Sequence, residues 1–304
     1  MTPSLPAAHP HHAARGALLF LLGVFLFACM DTIAKYLAAR YPVPMVVGVR
    51  YLVHCLLMVL VLAPSQGAKL VRTQRTGLVL FRAACLATGS LVFTLSLQRM
   101  PVAEATAILF VAPLLVVMLA GPVLKERVGA FGWAAVVAGF VGILLIARPG
   151  GDLDGIGVAL AFAGAVTTAT YQLLSRLLAG TETTLAMLFY TALVGAIAFG
   201  AMAPWFWGGA MPPPLHLALM LSLGVLGGLG HFLFTAAHRH TGASTLAPMQ
   251  YSQLVWVGLF GWLVFGHVPE APSILGMVIV AAAGAAVAIR SRLAARALER
   301  AAEA

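Results

Sequence analysis

The sequence predicts an all-α integral membrane protein: ten transmembrane helices, built as two inverted five-helix repeats around a central cavity. Three observations carry this prediction. Of 304 residues, 62% are hydrophobic and only 9% charged, with a mean hydropathy of +1.00, where soluble domains carry about 25% charge. Apolar runs long enough to cross a hydrocarbon core about 30 Å thick recur along the whole chain, leaving no soluble domain. The chain also aligns with itself at an offset of 140 or 141 residues, the test for an internal repeat.

The runs lie near 16-38, 43-63, 76-98, 101-123, 129-147, 155-178, 183-203, 215-238, 242-265 and 272-290, separated by short polar or proline-rich breaks. They are continuously apolar and lack the in/out alternation of barrel strands, so helices are expected. In the first span, "GALLFLLGVFLFACMDTIAKYL" aligns with "GVALAFAGAVTTATYQLLSRLL" of the sixth, pairing Gly16 with Gly157, Gly23 with Gly164, Ala28 with Ala169 and Lys35 with Arg176. After the second span Ala63-Pro64 meets Ala203-Pro204, after the third Arg99 meets Arg239, and in the fourth Ala103 and Ala107 meet Ala243 and Ala247. Segments 16-147 and 155-290 are therefore read as the two repeats, flanked by a segment at 1-15 and a basic tail at 291-304. Five spans per repeat is an odd number, so the second repeat enters from the opposite side of the membrane. The repeat also argues against a cleaved signal peptide, because the first span has a retained counterpart in the sixth.

Charge sets the expected orientation. With both termini inside, the inner segments hold Arg15, Lys69, Arg72, Arg75, Lys125, Arg127, Arg176, Arg239, Arg290, Arg292, Arg296 and Arg300, against Arg40, Arg99 and Arg148 outside. The positive-inside rule then places both termini in the cytoplasm, in a bacterial inner membrane. The net charge of +9 is assigned to membrane lipids rather than to nucleic acid. Cys29, Cys55 and Cys85 fall in separate spans without C-x-x-C spacing, so neither a redox nor a metal role is expected. His238 and His240 sit at i, i+2 and make a poor metal pair on a helix. No cofactor is expected.

Ionisable residues inside spans are costly and mark function. At about 1.5 Å per residue, Asp31 lies in the outer third of the membrane, level with Arg50 of the second span, and these two are expected to pair or to bind solute. A local Asp31–Lys35 pair at i, i+4 is an alternative. Lys35, near the outer surface, is read as a snorkelling anchor or as an answer to Glu104, and these two are the gating or ion-pair candidates. Arg82 has no acid at matching depth, which suggests an anion partner, a water-filled cavity or an interfacial anchor. The second repeat offers polar residues without acids: Tyr171 and Gln172, with Thr167 and Thr170 nearby, then Tyr190 and His231. In "PMQYSQLVW", Gln250, Gln253 and Val257 share a stripe beside Trp256, with Pro248 breaking the helix. Glycines of the fifth and tenth spans, including Gly139, Gly142, Gly276 and Gly284, allow close helix packing or a homodimer.

Two inverted halves are the signature of secondary transporters. "PVAEATAILFVAPLLVVMLAGPVLKERVGAFGWAAVVAGFVGILLIARPG" and its weaker echo "GASTLAPMQYSQLVWVGLFGWLVFGHVPEAPSILGMVIVAAAGAAVAI" resemble the paired EamA domains of the drug/metabolite transporter superfamily. The resemblance spans 16 to 290 and implies a carrier whose cavity is lined by the first four helices of each half, with the last helix of each half peripheral. The family's Leu-Gly-Glu signature reads Leu124-Lys125-Glu126 after the fourth span and Phe265-Gly266-His267 after the ninth.

The expected function is secondary transport of a small polar metabolite by alternating access, a carboxylate or amino-acid-like solute being favoured. Coupling would come from protons or an exchanged solute, since no G-x-x-x-x-G-K-[ST] nucleotide motif occurs. Alternatives of the same fold are a lipid or lipid-linked sugar flippase and an exporter of cationic or amphipathic compounds. An intramembrane enzyme is disfavoured, because H-E-x-x-H and G-x-S-x-G are both missing from the chain.

Overall fold

A computed structural model describes residues 10–124, 129–148, 152–178, 180–208, 211–240 and 246–303. Every described element is helical, as a lipid environment demands: backbone groups there must be satisfied within the segment. The first half comprises α1 (Pro10–Ala38), α2 (Val43–Gln66), α3 (Thr76–Arg99), α4 (Val102–Leu109), α5 (Ala112–Leu124) and α6 (Ala130–Ala147). The second comprises α7 (Gly155–Leu178), α8 (Thr184–Phe206), α9 (Pro214–His240), α10 (Gln253–Phe265) and α11 (Ala271–Glu303), with a 3-10 segment, Ala247–Ser252, leading into α10. Nine of the described helical stretches are long and apolar enough to span a membrane.

Three departures from the expected spans stand out, and the last two have local causes. The first helix starts at Pro10 rather than Gly16. The fourth span is broken at Phe110 and Val111, because Pro113 has no N–H to give to the carbonyl of Leu109 and its ring crowds that group. The ninth starts as the tighter 3-10 segment around Pro248 and becomes α-helical only at Gln253. The Lys125-Glu126 signature lies outside the described residues, as do the side chains of His238 and His240 and most of those in the basic tail.

The two halves interlock by pseudo-symmetric pairings. α1 packs on α9 as α7 packs on α3, while α2 meets α8 and α6 meets α11. Pro64 of α2 and Pro204 of α8 occupy matching places near the ends of their helices. Each half also ties the other through the loop after its first helix. The buried Glu182 carboxylate accepts the backbone N–H groups of Gln74 (2.9 Å) and Arg75 (2.6 Å) at the start of α3. On the opposite face the Tyr41 hydroxyl lies 2.7 Å from Nδ1 of His216, in the first turn of α9.

The glycines anticipated as a dimer surface face neighbours in the same chain. A Cβ on Gly276 would lie 2.5 Å from the Gly142 carbonyl oxygen, and one on Gly142 would lie 2.9 Å from that of Gly276. Gly139 faces Leu114 and Gly284 faces Tyr251. These small residues let α6 and α11 approach closely, so this packing is internal to the protomer.

Candidate functional site

Where α1, α2, α3, α9 and the start of α10 converge, they surround a cavity of about 210 Å³. The residues that reach it sit one helical turn apart on each element: Phe27, Met30 and Asp31 on α1, Arg50, Tyr51 and His54 on α2, Leu86, Gly89, Ser90 and Phe93 on α3. The second half adds Thr168 of α7, Leu188 and Thr191 of α8, Gly227 and His231 of α9, and Gln250 and Gln253 around the start of α10; Leu109 and Phe110 come from the break in the fourth span. Spacings of three and four place such residues on one helix face. An apolar crevice between α2 and α8, lined by side chains such as Met45, Leu52 and Phe206, lacks comparable chemistry.

Asp31 is 6% exposed and accepts a 2.9 Å hydrogen bond from Nε2 of Gln253, which joins the two halves. The expected Asp31–Arg50 ion pair is not formed among the described residues. An amide takes one carboxylate oxygen instead, while the Arg50 guanidinium lies 4.9 Å from the Tyr51 ring. Arg50 faces the same cavity as Asp31 and donates no hydrogen bond to the described protein. A guanidinium has five donors, and because Arg50 is only half-buried they are open to the cavity.

Lys35 pairs with neither Asp31 nor Glu104. Its Nζ donates to the carbonyls of Leu97 and Met100, each at 2.7 Å, and lies 5.4 Å from the Phe265 ring. The carbonyls ending α3 have no helical partners and carry the negative end of the helix dipole, so a cation satisfies them. Lys35 is thus a cap across helices and not a freely snorkelling anchor. Glu104, at 2% exposure, bonds Nε2 of His267 at 2.9 Å through one oxygen; its other oxygen has no partner. Gly266, whose φ of +67° suits glycine, ends α10 in a left-handed cap and turns His267 toward Glu104.

Arg82 does not line the cavity. Buried at 4% exposure, it gives Nε to the Ser175 hydroxyl (2.7 Å), one terminal nitrogen to the Met187 carbonyl and Thr191 hydroxyl (3.1 Å each), and the other to the Tyr171 hydroxyl (2.8 Å). Its guanidinium also lies 4.2 Å from the Tyr171 ring. Neutral acceptors therefore replace the anion that the sequence suggested, and Tyr171 serves Arg82. Tyr190 donates to the Val71 carbonyl at 3.0 Å, away from the cavity. Trp256 packs against Phe25 (5.0 Å) and Phe260 (6.3 Å). Gln172 is half-buried on α7 and is not among the cavity residues.

Several cavity residues were missed by sequence reasoning: Phe27, Tyr51, His54, Ser90, Thr168 and Thr191. The signal was present in helical spacing, since His54 follows Arg50 by four residues and Phe27 precedes Asp31 by four. Among the described residues, no three His, Cys, Asp or Glu side chains gather to hold a metal ion, and the three cysteines are free.

Outside the spans, Asp154 precedes α7 and accepts the backbone N–H groups of Gly157 (3.0 Å) and Ile156 (2.7 Å), while Arg99 lies 3.1 Å away. The Gly157 bond above all, followed by Arg99, holds its carboxyl below the usual carboxylate range. Arg148 pairs with Glu270, linking the end of α6 to the approach of α11.

Comparison with known proteins agrees with this architecture. The chain is 26% identical to the S-adenosylmethionine uptake transporter of Rickettsia prowazekii, over 87% of this chain and 89% of that one. It is 28% identical to the riboflavin transporter of Vibrio cholerae (89% and 91% covered) and 26% identical to the pseudopaline exporter CntI of Pseudomonas aeruginosa (88% and 94%). A crystal structure sharing 18% of its sequence superimposes over 94% of this chain and 99% of its own with a TM-score of 0.64, which supports the fold. The model of the EamA-like transporter family matches twice, at residues 14–148 and 155–289. The chain therefore belongs to the EamA-like transporter family: it is a multi-pass membrane transporter of small molecules and not an enzyme.

Proposed function

We propose that this transporter is a secondary carrier of a small polar solute bearing a carboxylate, with amino-acid-like compounds the best fit, working by alternating access between its two halves. The observation that carries this reading is Arg50: a guanidinium in the cavity wall without a hydrogen-bond partner among the described residues. A solute carboxylate would fill its donors in a bidentate, charge-assisted contact. Asp31, oriented by Gln253, would then face the solute's ammonium group. Both termini are assigned to the cytoplasmic side of a bacterial inner membrane on the distribution of Lys and Arg. The driving force is assigned to a proton gradient or to solute exchange.

The test is binding and liposome flux with a panel of carboxylates, amines and amino acids on the wild type and on Arg50→Gln. Losing a charged hydrogen-bonding partner costs about 1.5 to 3 kcal/mol, so carboxylate affinity should fall by roughly tenfold or more. Undiminished carboxylate binding by Arg50→Gln would remove the basis of this reading.

A further inference from the structure

The carboxylate reading leaves most of the cavity wall unexplained. Rings stand around it on several sides: Phe27 on α1, Tyr51 and His54 on α2, Phe93 on α3, Phe110 at the break before α5, and His231 on α9. They come from both halves and several form a connected array. The imidazoles of His54 and His231 are nearly parallel, at 11°, with centroids 6.0 Å apart, and the Phe27 ring meets His231 edge-on at 5.0 Å. Gly227 lies one turn from His231 and also reaches the cavity, where the Met30 sulfur stands 3.3 Å from the place its Cβ would take.

Excluding water does not require rings, because leucine or valine would serve as well. What rings add is a preference for other rings: offset-stacked and edge-to-face contacts with an aromatic partner that a saturated group cannot make. The array is also close to the charged groups. His54 follows Arg50 by one helical turn, and Phe27 precedes Asp31 by one turn.

We propose that the wall formed by Phe27, His54 and His231 is a ring-binding subsite, and that the solute carries a planar aromatic or heteroaromatic group beside its charged end. This rests on the carboxylate reading for the charged end only, since the ring contacts do not depend on it. His231 and His54 are then specificity-determining residues: they set which side group is accepted while Arg50 sets which head group is.

The experiment uses the full chain in lipid nanodiscs and two matched ligand pairs, L-phenylalanine with L-cyclohexylalanine and 2-phenylethanol with 2-cyclohexylethanol. The members of each pair differ only in the aromaticity of the ring. Simple apolar burial favours the saturated member, whereas ring contacts should favour the aromatic one by roughly 2- to 10-fold in Kd. His231→Leu should collapse that ratio to about one or reverse it, and His231→Phe should restore it. The ratio is taken within each variant, so differences in folded fraction cancel. A saturated member bound as well as or better than its aromatic partner by the wild type in both pairs overturns the subsite, as does saturable binding of none of the four. An unchanged ratio in His231→Leu also overturns it. Aromatic preference in the alcohol pair, with neither amino acid bound, supports the subsite while refuting the carboxylate reading.

Discussion

Replacing Gly276 by alanine should weaken the packing of α11 on α6 without touching the cavity. The added methyl would sit 2.5 Å from the carbonyl oxygen of Gly142, 2.7 Å from Cγ1 of Ile146 and 3.2 Å from the Ile146 nitrogen. Two of these three neighbours are backbone atoms and cannot rotate away, so the helices must separate by a sizeable fraction of an ångström. Overpacking of this kind costs about 1 to 3 kcal/mol, and the alanine offsets only about 0.8 to 1 kcal/mol of it through helix propensity. The expected net effect is a loss of up to about 2 kcal/mol, read as a lower thermal midpoint of the purified transporter with affinity per folded molecule retained. Gly258→Ala on α10 is the control, because a methyl there meets nothing within 4 Å. It should be neutral or slightly stabilising. Equal midpoints for the two variants would refute the claim that the α6–α11 contact depends on glycine.

Two further perturbations separate structural from solute-binding charges. Arg82→Gln should strip Tyr171, Ser175 and Thr191 of their common donor and destabilise the fold by roughly 2 kcal/mol or more, while solute affinity per folded carrier survives; selective loss of carboxylate binding with an unchanged thermal midpoint would return Arg82 to the site. Asp154, whose carboxyl is held below its usual range, should contribute stability that is present above its unfolded value near about 3.9 and is lost as pH falls through its lower folded value. Thermal midpoints measured from pH 7 down to pH 3 should show this acid-side loss in the wild type and its absence in Asp154→Asn; parallel curves would contradict it.

The spans and the relation between the halves were legible because lipid imposes a coarse rule on sequence, long apolar runs with charge sorted at their ends. The site was legible only in part. Depth along a helix placed Asp31 and Arg50 at the same level, and both do reach the cavity. Depth does not give rotation, and rotation decided their partners: Gln253, distant in sequence and from the other half, takes the Asp31 carboxylate. Arg82 looked unpaired because only acids were sought as partners, whereas hydroxyls and one carbonyl satisfy it. Lys35 was read against side chains, and its partners are the carbonyls that end α3. The overlooked histidine, His54, could have been found by extending the Arg50 face by one turn.

The ties across the two halves show what duplication preserves. At the offset of 141, Tyr41 falls on Glu182, and each sits in the loop that reaches the opposite half's third helix. The backbone plan is repeated, but one face is fastened by a carboxylate on two backbone N–H groups and the other by a hydroxyl against an imidazole. Charge-assisted bonds are roughly twice as strong as neutral ones. The two faces of a repeated backbone plan are therefore fastened by different chemistry, and the difference is written into two short loops.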